Sequence, residues 1–232
     1  MRRIILDLET TGLDPRKGHK IVEIGCIEVI NRVRTEKIFH LYVDPEREMP
    51  EQAFRIHGIS AQFLRGKPKF HEIAQDFLDF IGEDSKLIAH NASFDMGFLN
   101  HQLGELGHPS IDNSRVIDTL YLARKNFPGS PASLDALCKR FNISLADREK
   151  KGHGALLDSE LLYEVYIMLT EGIQSELIVT STKVNEHLEE ARLHRSKPPV
   201  EPRRFIYAKD NKEHEEFLKK IKNSAWTKPK TN

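Results

Sequence analysis

The sequence has few cysteines and no long apolar run. Its 232 residues include only two cysteines, Cys26 and Cys138. Two cysteines so far apart exclude a disulfide framework or a cysteine zinc cluster, so we expect two buried free thiols. No apolar stretch approaches the roughly 18 residues that span a bilayer, and residues 1–3 lead into a strand pattern rather than a signal peptide. We therefore expect a cytoplasmic protein.

The sequence also lacks an excess of charge of either sign. It contains 35 Lys+Arg and 35 Asp+Glu residues, and zero net charge argues against a free-standing protein that holds long nucleic acid by counterion release. The charges are unevenly placed: residues 183–232 hold 13 basic and 8 acidic side chains, whereas residues 1–182 hold 22 and 27. This predicts two parts with different partners, unless the difference is only solvated surface.

Apolar periodicity predicts the order of the secondary structure. Residues 3–9, 21–30 and 37–43 alternate with period two, which predicts a three-stranded antiparallel meander. Helical spacing follows in Phe70–Ile81, Ala92–Leu106, Ser133–Phe141 and Ala155–Leu169, and short buried strands are predicted at Lys86–Ala89 and Val116–Thr119. Strands first, then alternating helices and strands, predict an α/β fold with a mixed sheet and helices on its faces.

The character of the sequence changes after Gly172. Residues 173–202 include Pro198, Pro199 and Pro202 amid charged residues, which is typical of a flexible linker. Residues 203–232 combine a strand-like stretch with a short amphipathic helix. Thirty residues are too few to hold a core alone, so we expect this segment to fold against a partner.

Two acids at the end of the first predicted strand are the first candidates for a metal site. Asp7 and Glu9 follow an apolar run and precede a Thr-Thr-Gly turn. Alternation along a strand places both side chains on one face, where neighbouring carboxylates repel each other and resist desolvation unless protonated or bound to a cation. Acid-x-acid triplets also arise by chance about five times in a chain with this many acids, so the pair alone decides nothing.

Two further acids lie at predicted helix starts. Asp95 falls in the first turn of a helix for which Asn91 is the expected N-cap, although an acid near the positive end of a helix dipole is also a common surface feature. Asp158 lies on the apolar stripe of its helix, and His153 precedes it in a glycine-flanked loop. A buried salt bridge to a lysine or arginine is the alternative for Asp158.

Three segments together resemble a known family. They are Asp7-x-Glu9-Thr10-Thr11-Gly12, His90-Asn91-Ala92-x-Phe94-Asp95 and His153-Gly154-Ala155-x-x-Asp158. In this order and at these separations they resemble the three motifs of the DEDDh 3′–5′ exonucleases. Within that family, residues 1–172 and the tail from Glu213 to Trp226 are similar to the proofreading exonucleases of bacterial DNA polymerase III. The resemblance implies a ribonuclease H-like fold over residues 1–172 and removal of mispaired 3′-terminal nucleotides from DNA.

The resemblance also implies a role for each site residue. The metal ligands would be Asp7, Glu9, Asp95 and Asp158, holding two divalent cations, Mg²⁺ or Mn²⁺. His153 would be the general base that takes the proton from the attacking water. The terminal nucleotide would contact Asp7, Glu9, Thr10, Thr11, Gly12, Gln52, His57 and Asp158. Gln52 departs from the family, which carries a glutamate there; an amide accepts a hydrogen bond without carrying a charge.

Partners are implied by the tail. Residues 203–232 would bind the polymerase (alpha) subunit through Phe217, Leu218, Ile221 and Trp226, since aromatic anchors often dominate such contacts. Gln174 and Leu177 belong to a peptide that resembles the family's sliding-clamp motif, for which an ordinary flexible linker is the alternative.

Three other functions are weighed against this one. An RNA-trimming exonuclease shares the three motifs but lacks the polymerase-docking tail. A non-catalytic adaptor would be expected to have lost metal ligands, whereas this chain retains all four acids and His153. An ordinary α/β domain whose acids form surface ion pairs would require four coincidences at matching separations.

Overall fold

The computed structural model describes residues 1–170. The predicted linker, the clamp-binding peptide and the polymerase-binding segment lie outside these residues. The partner-binding roles of Gln174, Leu177, Phe217, Leu218, Ile221 and Trp226 therefore stay predictions, as do the domain boundaries at residues 172 and 202.

Residues 2–42 form the antiparallel meander that the period-two pattern predicts. Its strands are β1 (Arg2–Thr10), β2 (Ile21–Ile30) and β3 (Val33–Tyr42). The register of β1 against β2 places Asp7 opposite Gly25 and Glu9 opposite Glu23. Residues directly opposite each other in an antiparallel pair direct their side chains to the same face, so these four positions share one face of the sheet.

Two short parallel strands complete the sheet. They are β4 (Lys86–Ala89) and β5 (Val116–Asp118), and the strand order is β3-β2-β1-β4-β5. β4 runs parallel to β1, and β5 runs parallel to β4. The α/β class and the mixed, ribonuclease H-like sheet are thus confirmed.

Eight α-helices accompany the sheet within residues 1–170. They are α1 (Glu51–His57), α2 (Ala61–Leu64), α3 (Phe70–Ile81), α4 (Ser93–Glu105), α5 (Thr119–Asn126), α6 (Leu134–Arg140), α7 (Ala146–Lys151) and α8 (155–170). The four helices predicted from periodicity, α3, α4, α6 and α8, are confirmed to within two residues at their ends. The other four have eight residues or fewer, and their apolar spacing is too short to mark them.

Helices cover both faces of the sheet. On one face Leu6 of β1 packs in a cluster with Phe77 of α3 and Phe98 of α4. On the other face Ile5 packs in a cluster with Leu162 of α8. All five side chains are fully buried, and burial of each stabilises the fold by about 1.5–3 kcal/mol. β1 is therefore central, and its end is a position where helices from both faces meet.

Cys26 and Cys138 are free and buried, as predicted. Within the described part of the chain, no helix has both the length and the apolar character needed to cross a membrane.

Candidate active site

The end of β1 presents two acids to the amino end of α8. Asp7 and Glu9 share a sheet face with Gly25 and Glu23, and both of these β2 residues meet the backbone of Ala155, the first residue of α8. Asp7 is partly buried, and Glu9 is 8% exposed. The sheet thus brings the two carboxylates to the helix start that carries the third sequence motif.

Asp95 lies in the first turn of α4 and is 3% exposed. The prediction that Asn91 caps this helix is wrong, because the N-cap position belongs to Ala92 and no side chain caps it. Asn91 instead adopts a left-handed backbone with φ 64, which asparagine tolerates better than most residues. Its backbone N–H donates to Oδ1 of Asp118 at 3.0 Å. Asn91 therefore turns the chain between β4 and α4, and Asp118 holds that turn.

α8 and the loop before it supply the third motif. Asp158 is 3% exposed, and its N–H donates to the carbonyl of Gly154 at 2.8 Å in the first turn of the helix. The His153 side chain is 43% exposed, with Nδ1 at 3.3 Å from Oδ2 of Asp158. Ligand atoms of Glu9, His153 and Asp158 all lie within 4.8 Å of one another. Residues from two distant segments thus form one small cluster.

Arg148 on α7 also belongs to this cluster, and sequence reasoning missed it. Its Nη2 donates to Oδ2 of Asp158 at 2.9 Å and to Nδ1 of His153 at 2.6 Å, and Nη1 pairs with Asp135 of α6. The buried salt bridge that was the alternative for Asp158 is therefore present. The salt bridge and the acid cluster are present together. The Arg148 charge also lowers the pKa values of Asp7 and Glu9, but burial raises these pKa values more strongly.

The carboxyl groups of Asp7, Glu9 and Asp95 resist ionisation, because their pKa values are raised. Burial, followed by the charges of Asp95, Glu9 and Asp158, raises the pKa of Asp7 well above its usual range. Burial, followed by the charge of Asp158, raises the pKa of Glu9 to about 8. Burial also raises the pKa of Asp95 to about 8, against the backbone hydrogen bonds that this carboxylate accepts. Carboxylates placed together in this way favour a proton or a cation among them.

The donor set fits divalent cations. Oδ1 of Asp158 is buried and has no hydrogen-bond partner among the described residues, so one oxygen of this carboxylate is available as a ligand. Carboxylate oxygens and an adjacent imidazole suit hard and borderline divalent ions such as Mg²⁺ and Mn²⁺. Two of the four predicted ligands, Glu9 and Asp158, therefore lie together in a donor set that fits a divalent cation, and Asp7 and Asp95 interact with them electrostatically.

A cavity of about 430 Å³ opens beside the acids. Its lining includes Glu9, Thr10, Thr11, Gly12, Gln52, His57 and Phe94, so six of the eight predicted nucleotide contacts lie on it. Asp7 and Asp158 do not line the cavity; Asp158 belongs to the cluster with Glu9 and His153, and Asp7 interacts with that cluster electrostatically. The size falls within the range of small-molecule sites, roughly 300–1,000 Å³.

The Thr-Thr-Gly turn at the cavity is held by its own contacts. The Thr10 hydroxyl donates to the carbonyl of Gly12 at 2.6 Å, and the Thr11 hydroxyl accepts from the N–H of Lys20 at 3.0 Å. A Cβ at Gly12 would lie 2.4 Å from the ring of His19, so a side chain at this position would displace that ring. The turn therefore offers the cavity a fixed backbone surface.

His57 offers a single donor to the cavity. The side chain is buried, and its Nδ1 accepts from the N–H of Ile59 at 3.0 Å. Burial lowers the pKa of His57, which favours the neutral ring. Because Nδ1 accepts a hydrogen bond, the proton of the neutral ring lies on Nε2. That nitrogen is buried and has no well-formed hydrogen bond within the described residues, although a weaker interaction with the Thr10 backbone raises the pKa of the ring. An acceptor atom of a ligand would satisfy it. Gln52, by contrast, is exposed at the cavity rim on α1.

Glu23 and Asp118 are the other residues that sequence reasoning missed near the site. Each contacts the backbone of a predicted motif, Glu23 at Ala155 and Asp118 at Asn91. The one available signal for Glu23 was an acid inside a ten-residue strand that is apolar apart from Glu23, Gly25 and Glu28, and a period-two pattern assigns such a position to solvent.

Comparison with known proteins identifies close relatives. A family model described as "Exonuclease" matches residues 4–166. The DNA polymerase III subunit epsilon of Rickettsia conorii is 50% identical over 234 residues, covering 97% of this chain and 99% of the relative. The protein of the same name from Rickettsia felis is 59% identical over 178 residues, covering 75% of this chain and 76% of the relative. That of Escherichia coli K12 is 40% identical over 216 residues, with coverage of 90% and 88%.

Solved structures share the architecture. Exonuclease X, in complex with 5′ overhanging duplex DNA, superposes with a TM-score of 0.55 at 29% identity, covering 73% of this chain and 92% of that one. The nuclease domain of 3′hExo, a DEDDh family member bound to rAMP, gives 0.61 at 18% identity, with coverage of 74% and 92%. The second likeness concerns the fold alone.

Proposed function

Because the chain belongs to the exonuclease family, and within it to the DNA polymerase III epsilon subunits, we propose that the buried acid cluster is its catalytic centre. The chain is a metal-dependent 3′–5′ exonuclease of the proofreading type. One observation carries the placement of the centre: the ligand atoms of Glu9, His153 and Asp158 converge within 4.8 Å at the end of the central strand. Asp7 and Asp95 are coupled electrostatically to the same cluster.

The four acids are the proposed ligands of two divalent cations, Mg²⁺ or Mn²⁺. Bound ions would supply Lewis-acid stabilisation of the attacking and leaving oxygens in an in-line displacement at the terminal phosphodiester. The chain's own contribution is to hold carboxylate oxygens where burial makes an unpartnered negative charge costly. The unpaired Oδ1 of Asp158 and the raised pKa of Glu9 both support this assignment.

His153 is the proposed general base. Since Arg148 donates to Nδ1, the proton of the neutral ring lies on Nε2 in the described arrangement. Neither nitrogen can then accept a proton from water, so the contact between Arg148 and His153 must open before the base acts. The loop permits this, because the His153 side chain is 43% exposed and the residue lies between Gly152, with φ 82, and Gly154.

The cavity beside the cluster is the proposed pocket for the 3′-terminal nucleotide of DNA. The buried Nε2–H of His57 would donate to an oxygen of the nucleotide, and the fixed Thr10 to Gly12 backbone would support its sugar. Gln52 at the rim would accept or donate one neutral hydrogen bond. A nucleotide must be unpaired to enter, and a mispaired end costs less to separate than a paired one, so preference for mispaired ends follows from the pocket itself.

The partners are proposed from the sequence and from the relatives' names. The relatives are named as polymerase subunits, which supports binding of the segment 203–232 to the polymerase alpha subunit. The peptide at Gln174 would contact the sliding clamp. Tethering raises the effective concentration of the nuclease at the primer end, which suits a chain with no net charge. Such an assembly acts in the bacterial cytoplasm.

The test is digestion of a primer–template labelled at the 3′-terminal nucleotide, with the end either matched or mismatched. We expect release of labelled mononucleotide in Mg²⁺ or Mn²⁺, no release in chelator, and faster release from the mismatch. Asp7→Asn and Asp158→Asn should each lower the rate by at least about 100-fold, since each removes a charge from the metal cluster.

Glu48→Gln is the matched control, because Glu48 is an exposed acid outside the cluster. If Asp158→Asn digests DNA as fast as Glu48→Gln, the proposed centre is wrong. Preferential trimming of a short RNA over both DNA ends would move the substrate to RNA while leaving the same chemistry in place.

A further inference from the structure

Glu23 is a buried acid that the mechanism above does not use. It is the third residue of β2, lies opposite Glu9, and is 2% exposed. Both of its oxygens are engaged: Oε2 accepts from the N–H of Ala155 at 3.1 Å, and Oε1 lies 2.7 Å from Nε2 of His40 on β3. Burying a carboxylate costs free energy even when it has partners, here Ala155, His40 and the Tyr42 hydroxyl, so the position of Glu23 needs an explanation.

The Ala155 contact makes Glu23 the N-terminal cap of α8. Helix starts leave backbone N–H groups unsatisfied, and the residue before the helix usually supplies the acceptor. Here that residue is Gly154, which has no side chain, and the acceptor comes from a strand 132 residues away in sequence. The negative charge of a carboxylate is also favourable at the positive end of the helix.

Two further contacts fix the same helix against β2. Ser159 donates its hydroxyl to the carbonyl of Gly25 at 2.8 Å. A Cβ at Gly25 would lie 2.3 Å from the backbone of Ala155, so strand and helix are in direct backbone contact there. The start of α8 is therefore held in a fixed position beside Gly25 and Glu23, the strand residues that lie opposite Asp7 and Glu9.

The fixed position of α8 determines where the proposed reacting groups lie. His153 precedes the capped residue by two positions, and Asp158 follows it by three, in the first turn of α8. We propose that Glu23, held in place by His40, is a positioning residue that aligns His153 and Asp158 with Glu9. The inference rests on the proposed roles of His153 and Asp158.

The test compares Glu23→Ala with Glu23→Gln and with Glu28→Ala in the full-length chain. Glu28 is a matched control, because it is a second buried acid on β2 whose carboxylate pairs with Arg2 at 2.6 Å, away from the acid cluster. We expect Glu23→Ala to lower kcat for a mismatched primer end by about 10- to 100-fold, with KM changed less than about 3-fold. Glu23→Gln retains an oxygen that can cap Ala155, so it should recover most of the lost activity.

Thermal unfolding separates positioning from simple destabilisation. Glu28→Ala should lower Tm as much as Glu23→Ala but keep its kcat at a temperature where both are folded. His40→Ala should cause a smaller loss of kcat than Glu23→Ala, because it frees one oxygen without removing the cap. Equal kcat losses in Glu28→Ala and Glu23→Ala would overturn the proposal.

A double-mutant cycle with His153→Gln gives the decisive readout. Because Glu23 is proposed to align Asp158 as well as His153, the double variant should lose less activity than the product of the two single losses, whereas fully independent effects would multiply. Multiplying effects would overturn the positioning role. Full activity of His153→Gln would instead overturn the proposed general base, so the two failures are distinguishable.

Discussion

Replacing Glu9 by glutamine should stabilise the metal-free protein, and the gain should grow with pH. The folded state raises the pKa of Glu9 from its usual 4.5 to about 8, so folding holds a proton that the unfolded chain releases. Stability therefore falls as pH rises from about 4.5 through about 8. At 1.36 kcal/mol per unit, the loss between pH 5.5 and pH 8.0 is bounded at about 3 kcal/mol. Glutamine keeps the size of the side chain and carries no charge to lose.

Thermal unfolding in chelator measures this difference. Allowing for rearrangement of Arg148, we expect Glu9→Gln to exceed wild type by about 2 kcal/mol at pH 8.0, which corresponds to about 4 to 8 °C in Tm. At pH 5.5 the two proteins should differ by less. Saturating Mn²⁺ should raise the Tm of wild type by mass action and have little effect on the variant.

Glu48→Gln provides the control, since that acid is exposed. The reasoning fails if wild type and Glu9→Gln show the same Tm at pH 8.0, or if the variant is the less stable of the two. Either result would mean that ionisation of Glu9 does not lower the stability of the folded protein.

Single contacts elsewhere in the site give three more tests. Arg148→Gln leaves Asp158 without its ion-pair partner, so the chelated protein should lose about 3 kcal/mol of stability while calorimetry shows tighter Mn²⁺ binding; unchanged affinity would contradict competition at Asp158. His57→Phe keeps a ring but removes the Nε2 donor, so KM for single-stranded DNA should rise about 10-fold, and an unchanged KM would exclude His57 from the pocket. Asn91→Gly should preserve Tm whereas Asn91→Val should cost about 1–3 kcal/mol, because only the first accepts the left-handed backbone; equal Tm values would refute that conformation's importance.

The sequence predicts the parts of the fold that repeat a local pattern. The meander, β4, β5 and helices such as α3 were predictable because each presents several apolar residues at one period. α1 and α7 were not, since six or seven residues give too few repeats, and tertiary packing decides their conformation. The error at Asn91 has a similar origin, because side-chain type suggested a cap whereas the local backbone takes a left-handed turn.

The site residues also fall into two groups, those that a local sequence pattern marks and those that only contacts between distant segments reveal. Asp95 and Asp158 could be found because an acid on an apolar helix face is anomalous within its own segment. Glu23 and Arg148 could not, because their importance depends on which distant segment lies beside them: Ala155 for Glu23, Asp158 for Arg148. For Asp158 the two interpretations that the sequence left open both describe real contacts, since it is an ion-pair partner and a member of the acid cluster.

Gly25 determines how closely the start of α8 approaches β2 beside the acid cluster. Because Gly25 has no side chain, the main chains of β2 and α8 are in direct contact there, and this contact sets how closely the helix start approaches the strand that lies opposite Asp7 and Glu9. Repacking of the core elsewhere can exchange one apolar side chain for another without altering that spacing. A methyl group added at position 25 would lie 2.3 Å from the main chain of Ala155, which is closer than Cβ contacts in proteins, so the start of α8 would have to shift relative to β2.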